Sequence, residues 1–204
     1  MAKATVKTKL DRWIPYLLIV VGILGALMAL IITQEKFNLA ENPNYRPSCS
    51  INPIVSCGSV MKSDQAHAFG FANPYIGLIG FPVLMTLGVV LLSGAQLKRW
   101  LWLCLNAGLL FGVSFVHWLF YQSVYNINAL CPYCMVVWII TITAFVYVTV
   151  YNICHKHLRA PGRLEPVARF VSKHHLDLLL LWLLLITFFI LKHFWYYFGK
   201  HLPF

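Results

Sequence analysis

Five stretches of roughly 20 residues, almost free of charge, constrain this chain more than any other feature, because that is the length a helix needs to cross a bilayer core. They run at about 14–33, 75–93, 100–121, 130–151 and 176–198, and the only charges within them are Asp177 and Lys192, near the ends of the last. Backbone groups in lipid must find their partners within the segment, so each stretch is expected to be helical. Composition agrees. The 204 residues are 60% hydrophobic and 11% charged, whereas a soluble domain carries about a quarter of its residues as charge.

The net charge of +10 is spread over short tracts between the apolar stretches. No basic helix or aromatic-interleaved basic patch stands apart from them, which argues against nucleic acid as a partner. The tracts instead report topology. Lys3, Lys7, Lys9 and Arg12 precede the first stretch, Lys98 and Arg99 follow the second, and Lys156, Arg159, Arg163, Arg169 and Lys173 follow the fourth. In the alternate connections, Lys36, Arg46 and Lys62 are balanced by Glu35, Glu41 and Asp64, and 122–129 has no charge. The positive-inside rule therefore predicts a cytoplasmic N-terminus and an outer C-terminus. The first stretch is too long for a cleavable leader and lacks a small-residue cleavage site, so it is read as a retained helix.

Under this topology four of six cysteines face the outer, oxidising side. Cys49 and Cys57 lie in the long 34–74 loop, and Cys131 and Cys134 open the fourth helix. Cys104 and Cys154 are read as small apolar residues of the bundle. Cys131-Pro132-Tyr133-Cys134 is the strongest chemical signal. Two thiols one turn apart can close a short disulfide, and a helix N-terminus stabilises a nearby thiolate. Proline suits that first turn, where its missing N–H costs little. Cys49 and Cys57 form either a structural clip or a pair that exchanges disulfides with Cys131. Zinc fits poorly, since structural sites usually use two close pairs, and no metal is expected. Within the loop, 59–69 is expected to form a short helix across the bundle mouth, with Val60, Met61, Ala66 and Phe69 on its apolar side.

A cycling dithiol needs an electron acceptor. No dinucleotide fingerprint or phosphate-binding loop is present. Haem ligation would fall to His117, which otherwise reads as an interfacial or helix-bridging histidine. A quinone reached from within the bilayer remains, and it needs an apolar pocket with a few polar groups. Asn73, His117, Tyr133 and Trp138 are the candidate lining residues. Trp118, Tyr121 and Tyr125 read as an interfacial belt. Gly77-x-x-Gly80 and Gly108-x-x-x-Gly112 are expected to allow close helix approach.

In these features the chain resembles the vitamin K epoxide reductase family. The resemblance rests on Cys49-x7-Cys57 in the first outer loop and on Asn73-Pro-Tyr-Ile-Gly77 leading into the second helix. It rests too on the charge-free hairpin before Cys131-x-x-Cys134, and on the phrases Ser48-Cys49-Ser50-Ile51-Asn52-Pro53 and Ser56-Cys57-Gly58-Ser59-Val60. The resemblance implies a four-helix bundle around a quinone, menaquinone or ubiquinone, with the loop as a lid. Cys134 would face the quinone, Cys131 would exchange with Cys57, Cys49 would meet an external thiol partner, and Asn73 would bond a quinone oxygen. Vertebrate members have a tyrosine where this chain has Trp138, and they lack a fifth helix; bacterial homologues have one, some with a fused thioredoxin domain.

The expected organisation is a catalytic bundle over 1–152, a basic cytoplasmic linker over 153–175, and a fifth transmembrane helix with a short outer tail over 176–204. The expected activity is oxidation of an extracytoplasmic thioredoxin-fold protein with electrons passed to a quinone of a bacterial inner membrane. Two alternatives stand beside it. One is reduction of vitamin K epoxide in the recycling direction, and the other is a non-enzymatic membrane scaffold with a disulfide-stapled loop.

Overall fold

The computed structural model describes residues 2–42, 44–158 and 165–198. Among them there are helices and no strand, and five helices are long and apolar enough to cross a membrane. In chain order the helices are α1 (Ala2–Glu41), α2 (Cys57–Lys62), α3 (Pro74–Leu92), α4 (Arg99–Tyr121), α5 (Pro132–Cys154), α6 (Glu165–Lys173), α7 (His175–His193) and α8 (Trp195–Phe198). The spans lie in α1, α3, α4, α5 and α7.

α1 is the central post. It packs along α3 and α5, and α4 closes on α5. Ile14, Leu18 and Val21 of α1 meet Phe81 and Leu84 of α3, Trp102, Leu105 and Leu109 of α4, and Ile140, Ala144 and Val148 of α5 in one core. The α1–α3 approach is close because small residues line it. A Cβ on Gly22 would stand 2.5 Å from the Met85 backbone nitrogen, one on Gly88 2.7 Å from the Pro15 carbonyl, and one on Gly25 would collide with the Phe81 ring. The expected pairs behave differently. Gly77 and Gly112 do sit against neighbours, but a Cβ on Gly80 or Gly108 would meet nothing within 4 Å. Those two face open space, since α3 and α4 scarcely touch.

Several boundaries differ from expectation. The first helix does not end at 33 but continues to Glu41, carrying Glu35, Lys36 and Leu39 past the apolar stretch. The hairpin after α4 is a π-helical turn, Gln122–Ile127, ended by Asn128 in the left-handed region at φ 56°. The single loop helix expected over 59–69 is two pieces, α2 and a 3-10 turn at Asp64–His67, separated by Ser63 with extended backbone. The basic linker contains α6, whose Val167 and Phe170 are exposed. The last span stops at His193, and Phe194 turns the chain into α8; the expected tail beyond 198 lies outside the described residues.

α7 packs on α5 and on the turn that follows α4. Leu179 meets Val113 and Ile142, while Ile190 and the fully buried Phe194 join Ile54, Val124, Leu130 and Trp138. At the other end of the bundle, the fully buried Asn152 donates to the Trp102 carbonyl and to Asn106 Oδ1 and pairs with His157 Nδ1. Burial, with His155 and Arg99 nearby, holds the His157 imidazole below its usual range.

Candidate functional site

The site is assembled where the 42–73 connection folds back over the ends of α1 and α5. Asn52 starts the turn by accepting the backbone N–H groups of Ile54 and Val55 on its Oδ1, at 3.0 and 2.6 Å. The next residues pair with the segment before α5. Leu130 N–H donates to the Ile54 carbonyl at 2.7 Å, and Ser56 N–H to the Leu130 carbonyl at 2.9 Å. This two-bond bridge sets Cys57, the first residue of α2, against Cys131, the N-cap residue of α5. Ser56 caps α2 through its side chain, accepting from Ser59 N–H.

Cys49 and Cys57 form a disulfide. Cys131 and Cys134 are thiols. Cys131 Sγ lies 3.2 Å from Cys57 Sγ, and the sulfurs of Cys49, Cys57 and Cys131 lie within 4.8 Å of one another. All three residues are buried, in a cluster with Ile32 and Met61 and with Cys134 packed at its edge. The apolar shell excludes water from the sulfurs, and the geometry is that of a thiol beside a disulfide it can attack.

Behind Cys134 opens a cavity of about 610 Å³ between α1, α3, α4 and α5. Its size is that of a small-molecule pocket. Ile79 and Phe111, both exposed, flank the gap between α3 and α4 through which it faces the lipid side. The walls are largely apolar, and Gly80 and Gly108 leave room where any side chain would intrude. Polar groups are few. Asn73, Gln65, Ser63 and Lys36 gather at the loop end, Gln122 and Ser123 lie on the turn after α4, and Thr141 lies on α5 beyond Trp138. Thr141 Oγ1 is the one buried side-chain oxygen or nitrogen without a partner among the described residues. Hydroxyls elsewhere in the spans, such as Thr33, Thr86, Thr143 and Thr187, back-bond to the carbonyl one turn earlier. An apolar chamber with a flat indole, a redox thiol and a few scattered donors fits a quinone.

The expected lining residues separate into two groups. Asn73 and Trp138 are on the cavity wall with Cys134. Asn73 also ties its own loop, donating from Nδ2 to the Gln65 carbonyl at 2.7 Å and accepting Ala68 N–H on Oδ1 at 3.0 Å. Tyr133 and His117 are not on that wall. The Tyr133 hydroxyl points instead to Ser48 Oγ, 3.3 Å away. His117 has both ring nitrogens engaged, Nδ1 with the Val113 carbonyl at 2.8 Å and Nε2 accepting Trp182 Nε1–H at 2.9 Å. It bridges α4 to α7.

Sequence reasoning missed Glu35 and Lys36, consecutive residues on the extension of α1. Glu35 is buried and accepts the Tyr45 hydroxyl at 2.9 Å and Ser48 Oγ–H at 2.7 Å. Lys36 donates to the Ala66 carbonyl at 3.2 Å. One side chain grips the loop before the disulfide, the other grips it after. The signal was present as a polar triplet, Gln34-Glu35-Lys36, directly after an apolar run, but such a triplet reads as the end of a span.

No curated protein matches the chain. A model of the Vitamin K epoxide reductase family matches residues 16–149, which takes in both cysteine pairs, the bridge that joins them and every helix around the cavity. With that match over well over half of its length, the chain belongs to the vitamin K epoxide reductase family.

Proposed function

We propose that this chain is a bacterial-type membrane oxidoreductase that oxidises an extracytoplasmic thioredoxin-fold protein and delivers the electrons to menaquinone or ubiquinone. The observation that carries this reading is the 3.2 Å approach of Cys131 to the Cys49–Cys57 disulfide, with Cys134 on the wall of an apolar cavity. Family membership supports it, because this family performs disulfide and quinone redox chemistry in membranes. The distribution of lysine and arginine supports an N-terminus in the cytoplasm and both cysteine pairs at the outer face.

The residues divide the work as follows. A thiol of the partner reduces the loop disulfide by attack at Cys49, and a second partner thiol resolves that mixed disulfide. The freed Cys57 thiolate attacks Cys131 of an oxidised Cys131–Cys134 pair and releases Cys134 as thiolate. Cys49 then attacks Cys57, which restores the loop disulfide and leaves Cys131 as a thiol. The arrangement in the structure is the product of this step, a loop disulfide beside two thiols. Cys131 and Cys134 would close their disulfide again by giving two electrons and two protons to a quinone, which Asn73 and Trp138 would hold beside Cys134. Leu130 and Ser56 hold the exchanging sulfurs in register, and the shell around them keeps hydroxide and stray thiols away.

The test is quinol formation by purified protein supplied with a reduced dithiol partner and a short-chain quinone. Cys134→Ala is expected to abolish turnover and to accumulate a Cys57–Cys131 or partner mixed disulfide. Full turnover by that variant would sink the proposal. Oxidation of the partner with vitamin K epoxide as the preferred oxidant would reassign the chain to the recycling direction.

A further inference from the structure

Lys36 is the one charged side chain on the walls of the cavity among the described residues. It is half-buried at the loop end, and no carboxylate pairs with it. Its neighbour Glu35 is occupied with Tyr45 and Ser48. A cation at the mouth of an apolar chamber without a counter-ion is costly unless something there uses its charge.

Its position is set by a shared acceptor. The Ala66 carbonyl takes Lys36 Nζ–H at 3.2 Å and also the backbone N–H of Asn73 at 3.1 Å. The ammonium and Asn73 are thereby drawn to one point of the loop. An ammonium has three N–H groups, and the two that remain have no protein acceptor among the described residues. The Asn73 amide also keeps one N–H, since Gln65 uses only the other. Donors from α1 and from the start of α3 thus converge at the end of the cavity that holds Cys134.

We propose that Lys36 and Asn73 form a two-donor seat for one oxygen of the electron acceptor, and that Lys36 makes this seat selective for negative charge on that oxygen. The inference rests on the quinone reading above and goes beyond it by assigning the charged member of the site. When the Cys131 and Cys134 sulfurs bond, two electrons and two protons leave them for the two oxygens of the acceptor. Negative charge gathers on oxygen whenever electrons arrive before protons, and a preorganised ammonium in a dry site stabilises that charge. Lys36 holds the oxygen and its charge; Asn73 fixes the direction from which the oxygen is approached.

The experiment is a binding measurement on the full chain in detergent, independent of turnover. Two naphthoquinones of nearly equal size are compared by quenching of tryptophan fluorescence, with Trp138 on the cavity wall as the reporter. One is neutral, and the other bears a ring hydroxyl that is ionised at neutral pH. The wild-type chain is expected to prefer the anion. Lys36→Gln is expected to weaken the anion by about 10- to 100-fold, the size of a lost charge-assisted hydrogen bond, and the neutral compound much less, since the glutamine amide still donates to its oxygen. Lys36→Arg is expected to restore most of the preference. Retained neutral binding also shows that Lys36→Gln keeps its cavity. Equal loss of both compounds in Lys36→Gln and Lys36→Arg, or an anion preference undiminished in Lys36→Gln, would overturn the assignment. A wild-type chain that binds neither compound would overturn the quinone reading itself.

Discussion

At the scale of single residues, the reactive geometry depends on side chains that never touch sulfur. Glu35 is the clearest. Its carboxylate accepts two hydroxyls, and one of them, on Ser48, adjoins Cys49 and also meets Tyr133 inside the Cys-x-x-Cys turn. The loop before the disulfide and the turn at the head of α5 are therefore tied through one hydroxyl. Hydrogen bonds to a charged group contribute roughly 1.5–3 kcal/mol each. Glu35→Gln removes the charge and is expected to loosen this side of the loop. The loop disulfide should then be reduced by a small phosphine about 10-fold faster, as read by thiol labelling of Cys49 and Cys57. Unaltered reduction kinetics would show that the tie does not hold the disulfide shut. The four cysteines were legible as a cluster from their spacing, and the structure brings the loop pair against Cys131. Glu35 was not, because its partners Tyr45 and Ser48 reach it only through tertiary folding. The same is true of His117, whose neighbour Trp182 lies 65 positions away.

At the scale of elements, the five spans were legible and their ends were not. Hydropathy reports where lipid contact stops, whereas a helix stops where its backbone partners stop. α1 runs on for two turns because the loop supplies partners for Glu35, Lys36 and Leu39. The glycines repeat the lesson. Gly80 and Gly108 resemble packing residues, yet each faces the cavity, and the close α1–α3 contact falls to Gly22, Gly25 and Gly88. Spacing along one helix does not say which face meets a neighbour. A Cβ placed at Gly108, on the wall of the chamber, would meet no protein atom within 4 Å. Gly108→Leu should therefore leave reduction of the loop disulfide by the partner intact while lowering quinol formation at least about 10-fold, since it fills the apolar pocket. Equal quinol rates in Gly108→Leu and wild type would place the acceptor elsewhere. α7 acts as a brace behind the site. Phe194, fully buried, packs with Leu130 and Trp138, and His193 pairs with Asn128 at 2.7 Å. Phe194→Ala is expected to cost about 3–5 kcal/mol, visible as a lower thermal midpoint in detergent. A midpoint within error of wild type would mean that the last helix packs loosely against the rest.

At the scale of the whole molecule, one buried sulfur cluster adjoins an apolar cavity. The cavity is lined by α1, α3, α4 and α5, with exposed Ile79 and Phe111 on its walls, and the loop disulfide belongs to the cluster against which Cys134 packs. Cys49 is 5% exposed and Cys57 is fully buried. The closed loop thus shields both halves of the disulfide from solvent. The bridge between Leu130 and Ser56 thus works like a relay contact in an insulated circuit. It closes the inner junction while the outer terminal stays covered.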